Sequence, residues 1–142
     1  MILFLNLASG ESLWRGMDYF KEGRVKSYTA TDVGYEGTIL DSNLYHASID
    51  IAHPRRSTCD CPFANGRRVI CKHMVALLFT AEPDQADALN EEAASWERQA
   101  EEKWKEKCSE IRKHVMSMTK KELQESLISY KIWEEERKRN RW

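Results

Sequence analysis

The sequence predicts an α+β fold: a short helix, a three-stranded antiparallel meander, a metal-binding loop and helix, and then long C-terminal helices. Three observations predict it. Three successive runs rich in β-branched and aromatic residues are separated by turn-forming residues. Four metal-ligating side chains fall within the fifteen residues from Cys59 to His73. Beyond them, residues 85–116 contain no Gly or Pro and carry apolar residues at helical spacing.

The N-terminal half of the chain carries the signals of one helix followed by three strands. Residues 12–23 predict the helix, with Ser12 as a candidate N-cap and Gly23 as a stop signal. The strands are predicted in the segments RVKSYTAT, GYEGTIL and NLYHASIDI. Gly34 with its neighbours and the triplet Asp41-Ser42-Asn43 supply turn chemistry between them, which favours a meander.

The C-terminal half predicts three helices. The first covers residues 71–82, faces a core, and ends at Pro83, with Asp84 as a candidate cap for the next helix. Its expected core residues are Met74, Leu77, Leu78 and Phe79. The long second helix carries one apolar stripe, formed by Leu89, Ala93, Trp96, Ala100, Trp104, Cys108, Ile111 and Val115. On that stripe Cys108 is expected to be a small buried hydrophobe. A capping box at Thr119 and Glu122 begins the last helix.

Charge is distributed unevenly along a chain of 142 residues whose formal net charge is only −1. Residues 52–73 carry a net charge of +4, residues 82–110 a net charge of −6, and residues 111–142 a net charge of +4. Any attraction to an anionic partner must therefore come from local patches. We expect one domain at residues 1–82 and a helical extension at residues 83–142.

The start of the chain lacks the basic segment and the long apolar run of a signal peptide. No stretch approaches the roughly 20 apolar residues that a membrane span needs. We therefore expect a cytoplasmic protein with no membrane partner. In that reducing compartment, clustered cysteines are more often metal ligands or catalytic residues than disulfides.

The spacing Cys59-x-Cys61 and Cys71-x-His73 places two close pairs across a loop of nine residues. Two such pairs can converge on one ion, and Zn²⁺ favours thiolate and imidazole ligands in a set of four. A disulfide between Cys59 and Cys61 is disfavoured by their closeness. An iron–sulfur cluster would more often use four cysteines.

Two alternatives to a metal site stay open at this level. Cys71 and His73 could form a catalytic pair, although side chains two apart on a helix point away from each other. The three cysteines could also be buried core thiols beside an incidental histidine.

The segment CDCPFANGRRVICKHMVALLF resembles a SWIM-type zinc finger, whose pattern is Cys-x-Cys, a variable gap and Cys-x-His, followed by a helix. Residues 15–25 and 44–51 resemble the helix and strands that precede the finger in bacterial SWIM proteins, so the resemblance covers residues 12–82. The triplet at 41–43 departs from the Gly-Ser-like turn expected there. The resemblance implies that residues 1–82 form a zinc-finger domain with an N-terminal helix and β-meander, and that it binds DNA or protein in a metal-dependent way.

Five basic residues surround the ligands: Arg55, Arg56, Arg67, Arg68 and Lys72. Each alone is compatible with a solvated loop charge, whereas the group around a rigid metal loop could contact phosphates. We favour a zinc-binding recognition module that binds DNA or other nucleic acid through this patch. The alternative is a protein–protein adaptor.

The adaptor hypothesis uses the long helix, residues 85–116, to contact a protein partner or a second copy of the chain. The acidic block supports it, because those carboxylates would repel phosphate. We expect no enzymatic activity and no catalytic residues, because a closed four-ligand shell leaves zinc no open position for water.

Overall fold

The computed structural model describes residues 3–140 and confirms the α+β class. In chain order the helices and strands are α1 Leu3–Asn6, α2 Gly10–Lys21, β1 Val25–Ala30, β2 Gly34–Leu40, β3 Leu44–Asp50, β4 Thr58–Cys59, α3 Lys72–Ala81, α4 Pro83–Ser117 and α5 Lys120–Arg139. A 3₁₀ turn, Pro54–Arg56, lies between β3 and β4. The chain divides into two compact units, Met1–Ala94 and Ser95–Trp142.

The sheet is antiparallel, with four strands in the order β1-β2-β3-β4. Its first three strands are the predicted meander. The fourth strand, β4, was not predicted; it pairs Thr58 with Ser48 and Cys59 with Ala47 of β3. Two residues are too few to produce an alternating sequence pattern, so this strand leaves no signal of its own.

Helix α2 begins earlier than predicted. Its N-cap is Ser9, whose hydroxyl accepts a hydrogen bond from the Ser12 N–H at 3.1 Å. The prediction of Ser12 as the cap was therefore wrong, and Ser12 lies buried in the first turn. Gly23, with φ of 65°, follows the helix in the left-handed conformation that glycine adopts without strain.

Helix α3 lies in the centre of the first unit, where it contacts α2 and the first three strands. Its predicted core residues, Met74, Leu77, Leu78 and Phe79, are each 0% exposed. The α2–α3 contact is close at Gly16, where an added Cβ would lie 2.5 Å from the Val75 side chain. Helix α3 is therefore held on both sides, by the sheet and by α2.

Helix α4 begins at Pro83, so this proline starts a helix instead of only ending the previous one. Proline is favoured there because the N–H of the first helical residue makes no hydrogen bond within the helix, so its absence costs nothing. Asp84 accordingly lies in the first turn and is not the cap that we predicted. Ala86 and Leu89 are buried, which joins the start of α4 to the first unit.

The second unit contains the rest of α4 together with α5. The predicted capping box is present: the Thr119 N–H donates to Glu122 Oε2 at 2.6 Å, and the Glu122 N–H donates to Thr119 Oγ1 at 3.3 Å. The prediction that Cys108 is buried was wrong, because its side chain is exposed on α4. No described helix combines the length and the hydrophobicity that a bilayer-spanning segment needs.

Candidate metal centre

The four predicted ligands come from three local structures. Cys59 ends β4, Cys61 lies in the loop after it, Cys71 is the N-cap of α3, and His73 lies in the first turn of α3. Because β4 is hydrogen-bonded to β3, the sheet fixes Cys59, while α3 fixes His73 and its N-cap Cys71.

Two hydrogen bonds made by Asp50, here called the polar clasp, hold the loop that leads into β4. The Asp50 carboxylate accepts a hydrogen bond from the His53 N–H at 2.7 Å, and the Asp50 N–H donates to Ser57 Oγ at 3.0 Å. Asp50 and Ser57 are both buried. The clasp spans the chain between β3 and β4, and so positions Cys59.

The ligand atoms of Cys59, Cys61, Cys71 and His73 all lie within 4.8 Å of one another, and all four residues are buried. His73 Nδ1 lies 3.8 Å from the Cys59 sulfur and 3.9 Å from the Cys71 sulfur. Tetrahedral zinc, with bonds of about 2.3 Å to sulfur and about 2.0 Å to nitrogen, separates its ligand atoms by about 3.5–3.8 Å. The cluster therefore has a donor set and a spacing that fit one metal ion.

The structure brings Cys71 and His73 together, although two residues this close on a helix were expected to diverge. The reason is that Cys71 is not helical: as N-cap it has an extended backbone, with φ of −95° and ψ of 166°. Its side chain can therefore turn toward the imidazole of the first helical turn. The four cysteines are free thiols, and three of them, Cys59, Cys61 and Cys71, lie in the cluster.

Hydrogen bonding and burial give the three clustered thiols different pKa values. A hydrogen bond from Cys59, assisted by His73, lowers the pKa of Cys71 to about 4. The same hydrogen bond raises the pKa of Cys59, and burial raises the pKa of Cys61. One thiolate is thus stabilised at the expense of its neighbours. A divalent cation would remove this competition by neutralising all three together.

The other nitrogen of the imidazole contacts a carboxylate that sequence reasoning missed. His73 Nε2 lies 3.1 Å from Asp41 Oδ2, in the turn between β2 and β3. The imidazole also packs against the ring of Tyr45, with centroids 4.9 Å apart. Together these contacts leave Nδ1 directed at the sulfurs, the arrangement in which an outer carboxylate orients a metal-binding histidine.

Lys72 lies with this carboxylate and apart from the arginines with which we grouped it from sequence. Its ammonium is 2.9 Å from Asp41 Oδ2 and donates to the Tyr19 hydroxyl at 2.8 Å. The hydrogen bond from Lys72, with those of Tyr19 and His73, holds the pKa of Asp41 well below its usual range. Asp41 therefore stays ionised beside His73, and Lys72 contacts the carboxylate that lies next to this imidazole.

We predict that Asp41→Asn weakens metal binding about 10–100-fold, the usual effect of losing an outer partner of a ligand. The amide removes the negative charge opposite His73 while keeping the side-chain shape. Competition with a chromophoric zinc chelator measures the change. Asp32→Asn, in the exposed turn between β1 and β2, is the matched control and should leave affinity unchanged. Equal affinities for the two variants would contradict the role assigned to Asp41.

The four arginines predicted to bind phosphate line one surface groove. The groove has a volume of about 970 Å³ and is bordered by Arg55, Arg56, Arg67 and Arg68, together with His46 and His53. Two arginines come from the 3₁₀ turn before β4, and two from the loop between the ligand pairs. The metal loop thus brings together basic residues that are separated in sequence. Lys72 is not among the described residues that line this groove.

Asp60 is the only acidic residue among the described residues that line the groove. Its carboxylate accepts a hydrogen bond from the His46 N–H at 2.8 Å. This bond holds the Asp60 side chain against β3. All four arginines are exposed, and the Arg67 guanidinium lies 5.1 Å from the centre of the Phe63 ring while donating to the Phe63 carbonyl. The groove therefore presents an excess of positive charge.

Comparison with known families places the site in a recognised motif. Residues 42–82 match the family model of the SWIM zinc finger, a range that includes β3, all four ligands and α3. Of the two upstream segments on which the sequence-based resemblance depends, residues 44–51 lie inside the matched range, whereas residues 15–25 lie outside it and that part stays a prediction. No curated protein and no solved structure matches the chain. The resemblance indicated by the ligand spacing is confirmed: residues 42–82 carry a SWIM zinc finger.

Proposed function

We propose that this chain is a zinc-dependent recognition module that binds DNA through the arginine groove. The observation that carries the proposal is the convergence of Arg55, Arg56, Arg67 and Arg68 on one concave surface next to the zinc loop. Arginine binds phosphate oxygens with a planar fork of N–H donors, and these contacts carry no sequence information of their own. Binding should therefore be weak and nearly independent of sequence.

The ion that we propose is Zn²⁺. Three thiolates and one imidazole are the ligands of structural zinc sites, and four protein ligands complete its tetrahedron. We further propose that the centre is structural and not catalytic, since a catalytic zinc keeps one position for water or substrate. Its part in binding would be to hold the two arginine pairs at a fixed separation.

The net charge of the metal centre does not cancel that of the groove. Three thiolates with one Zn²⁺ sum to −1, and Lys72 offsets the Asp41 charge beside them. The four arginines exceed the single carboxylate of Asp60 along the groove. An anionic ligand would therefore still be attracted to this surface.

We predict that Arg67→Ala with Arg68→Ala lowers the affinity for duplex DNA equally across sequences. If about four phosphates are neutralised, the slope of log K against log salt is roughly −3 to −4, and each lost contact reduces it by about 1 unit. Fluorescence anisotropy at several salt concentrations, with zinc-loaded protein, measures both quantities.

Arg112→Ala with Lys113→Ala is the matched control, because it removes two adjacent exposed charges from α4. It should retain the wild-type affinity and slope. Absence of binding at low salt, or equal effects of the two double variants, would reject the groove as the DNA site.

A second function, as a protein–protein adaptor, is favoured by one specific observation. Trp96 and Trp104, on the predicted contact helix, are 65% and 64% exposed. Large exposed aromatic side chains on one helix are typical of protein interfaces. The DNA experiment separates the two hypotheses, because an adaptor with no DNA role would show no salt-dependent binding.

A further inference from the structure

In the second unit, nearly all residues of α4 and α5 are exposed. From Trp96 to Asn140, every described residue is exposed except Met118 and Glu134, which are half-buried. The exposed apolar side chains include Trp104, Ile111 and Val115 on α4, and Leu123, Leu127 and Trp133 on α5. Each helix is long enough to form an extended interface.

The apolar residues of each helix fall on one face. On α4, Trp104, Ile111 and Val115 are separated by seven and four residues, which returns each to the same side of the helix. On α5, Leu123, Leu127 and Tyr130 recur after four and three residues. The two faces therefore have the spacing of helices that pack side by side.

An antiparallel alignment brings the two faces into register. When Val115 is set opposite Leu123, Ile111 lies opposite Leu127 because both steps are four residues. The same alignment sets Trp104 within one residue of Trp133. Apolar residues of one helix thus meet apolar residues of the other along about three turns.

We propose that two copies of this chain associate, with α4 and α5 of one copy packed antiparallel on α5 and α4 of the other. Such an interface is self-complementary, because each copy contributes both faces. Only Met118 and Thr119 separate the two helices, and in this conformation α5 leaves the apolar face of its own α4 exposed.

The size of the paired faces is sufficient for a stable dimer. Both faces carry indole rings, and a large aromatic side chain buries about 150–250 Å² when fully covered. With the aliphatic residues of both copies, the interface is on the order of 1,500 Å², the standard size of a specific protein interface. This association does not depend on whether the groove binds DNA.

Sedimentation velocity of the full zinc-loaded chain over a range of concentrations tests the proposal. We expect a reversible dimer whose dissociation constant rises at least about 100-fold in Leu127→Glu, because the carboxylate would be buried without a partner. Ile132→Glu is the control: Leu127 and Ile132 are 58% and 56% exposed, and Ile132 lies on the opposite face of α5. It should leave the dimer intact.

A wild-type chain that stays monomeric would overturn the proposal, as would equal effects of Leu127→Glu and Ile132→Glu. An unchanged thermal midpoint of the first unit in each variant shows that the fold is retained.

Discussion

Replacement of a metal ligand, Cys61→Ser or His73→Ala, should abolish tight zinc binding and loosen residues 52–82. Structural zinc contributes about 10–16 kcal/mol of apparent binding free energy in small fingers. That is as large as the roughly 5–15 kcal/mol by which a typical domain is stable. The thermal midpoint of the first unit should therefore fall by more than about 20 °C, since 1 kcal/mol shifts a small domain by about 4–8 °C.

The loss should spread beyond the loop, because the ligands belong to the main hydrophobic cluster. Cys59, Cys61 and Cys71 pack in the same buried cluster as Phe79 and Ile49. The meander and α2 keep apolar faces of their own, so we expect residual helix and strand structure. Hydrogen exchange should show the largest loss of protection at residues 52–82.

Cys108→Ser is the matched control for Cys61→Ser. It makes the same chemical change at an exposed cysteine outside the cluster. We expect unchanged zinc content and an unchanged thermal midpoint. If Cys61→Ser and Cys108→Ser behave alike, the four-residue cluster does not hold the ion.

The second large effect is expected for Gly16→Val, where α2 crosses α3. A Cβ at Gly16 would lie 2.5 Å from both Cβ and Cγ1 of Val75 and 3.0 Å from the Lys72 carbonyl oxygen. The helices must separate to admit it, which also moves the residues beside His73. Overpacking a core costs about 1–3 kcal/mol, and valine adds a helix-propensity penalty compared with alanine. We expect the thermal midpoint to fall by about 10–20 °C.

Gly10→Val provides the comparison, because an added Cβ there meets nothing within 4 Å. Both glycines lie in α2, at its start and in its interior. Thermal unfolding of the zinc-loaded proteins measures the difference. A destabilisation by Gly10→Val as large as that by Gly16→Val would show that the α2–α3 contact does not determine the result.

The parts of the site that could be predicted are those encoded over short distances in the chain. The ligand pairs Cys59-x-Cys61 and Cys71-x-His73 are local patterns, and the structure brings all four together. Asp41 could not be identified, because it is distant from His73 in sequence and only the β2–β3 turn brings the two together. As a residue in a turn triplet, it carried only the signal of a turn former.

The surroundings of Lys72 and Cys108 could not be predicted, for the same reason. Each position was interpreted from its sequence neighbours, whereas its surroundings depend on which element packs against it. Lys72 lies among basic residues in the sequence, yet the start of α3 directs it to Asp41 and Tyr19. Cys108 lies on an apolar stripe, but a stripe does not specify what covers it, and the side chain is exposed. Strand β4 was missed because it has only two residues.

The most direct test of the metal centre is zinc quantification of the purified chain combined with X-ray absorption at the zinc edge. We expect one zinc per chain, bound by three sulfur ligands at about 2.3 Å and one nitrogen at about 2.0 Å. We also expect a lower thermal midpoint when EDTA removes the ion. Protein that contains no zinc and has the same midpoint with and without EDTA would contradict the assignment of these four residues as zinc ligands.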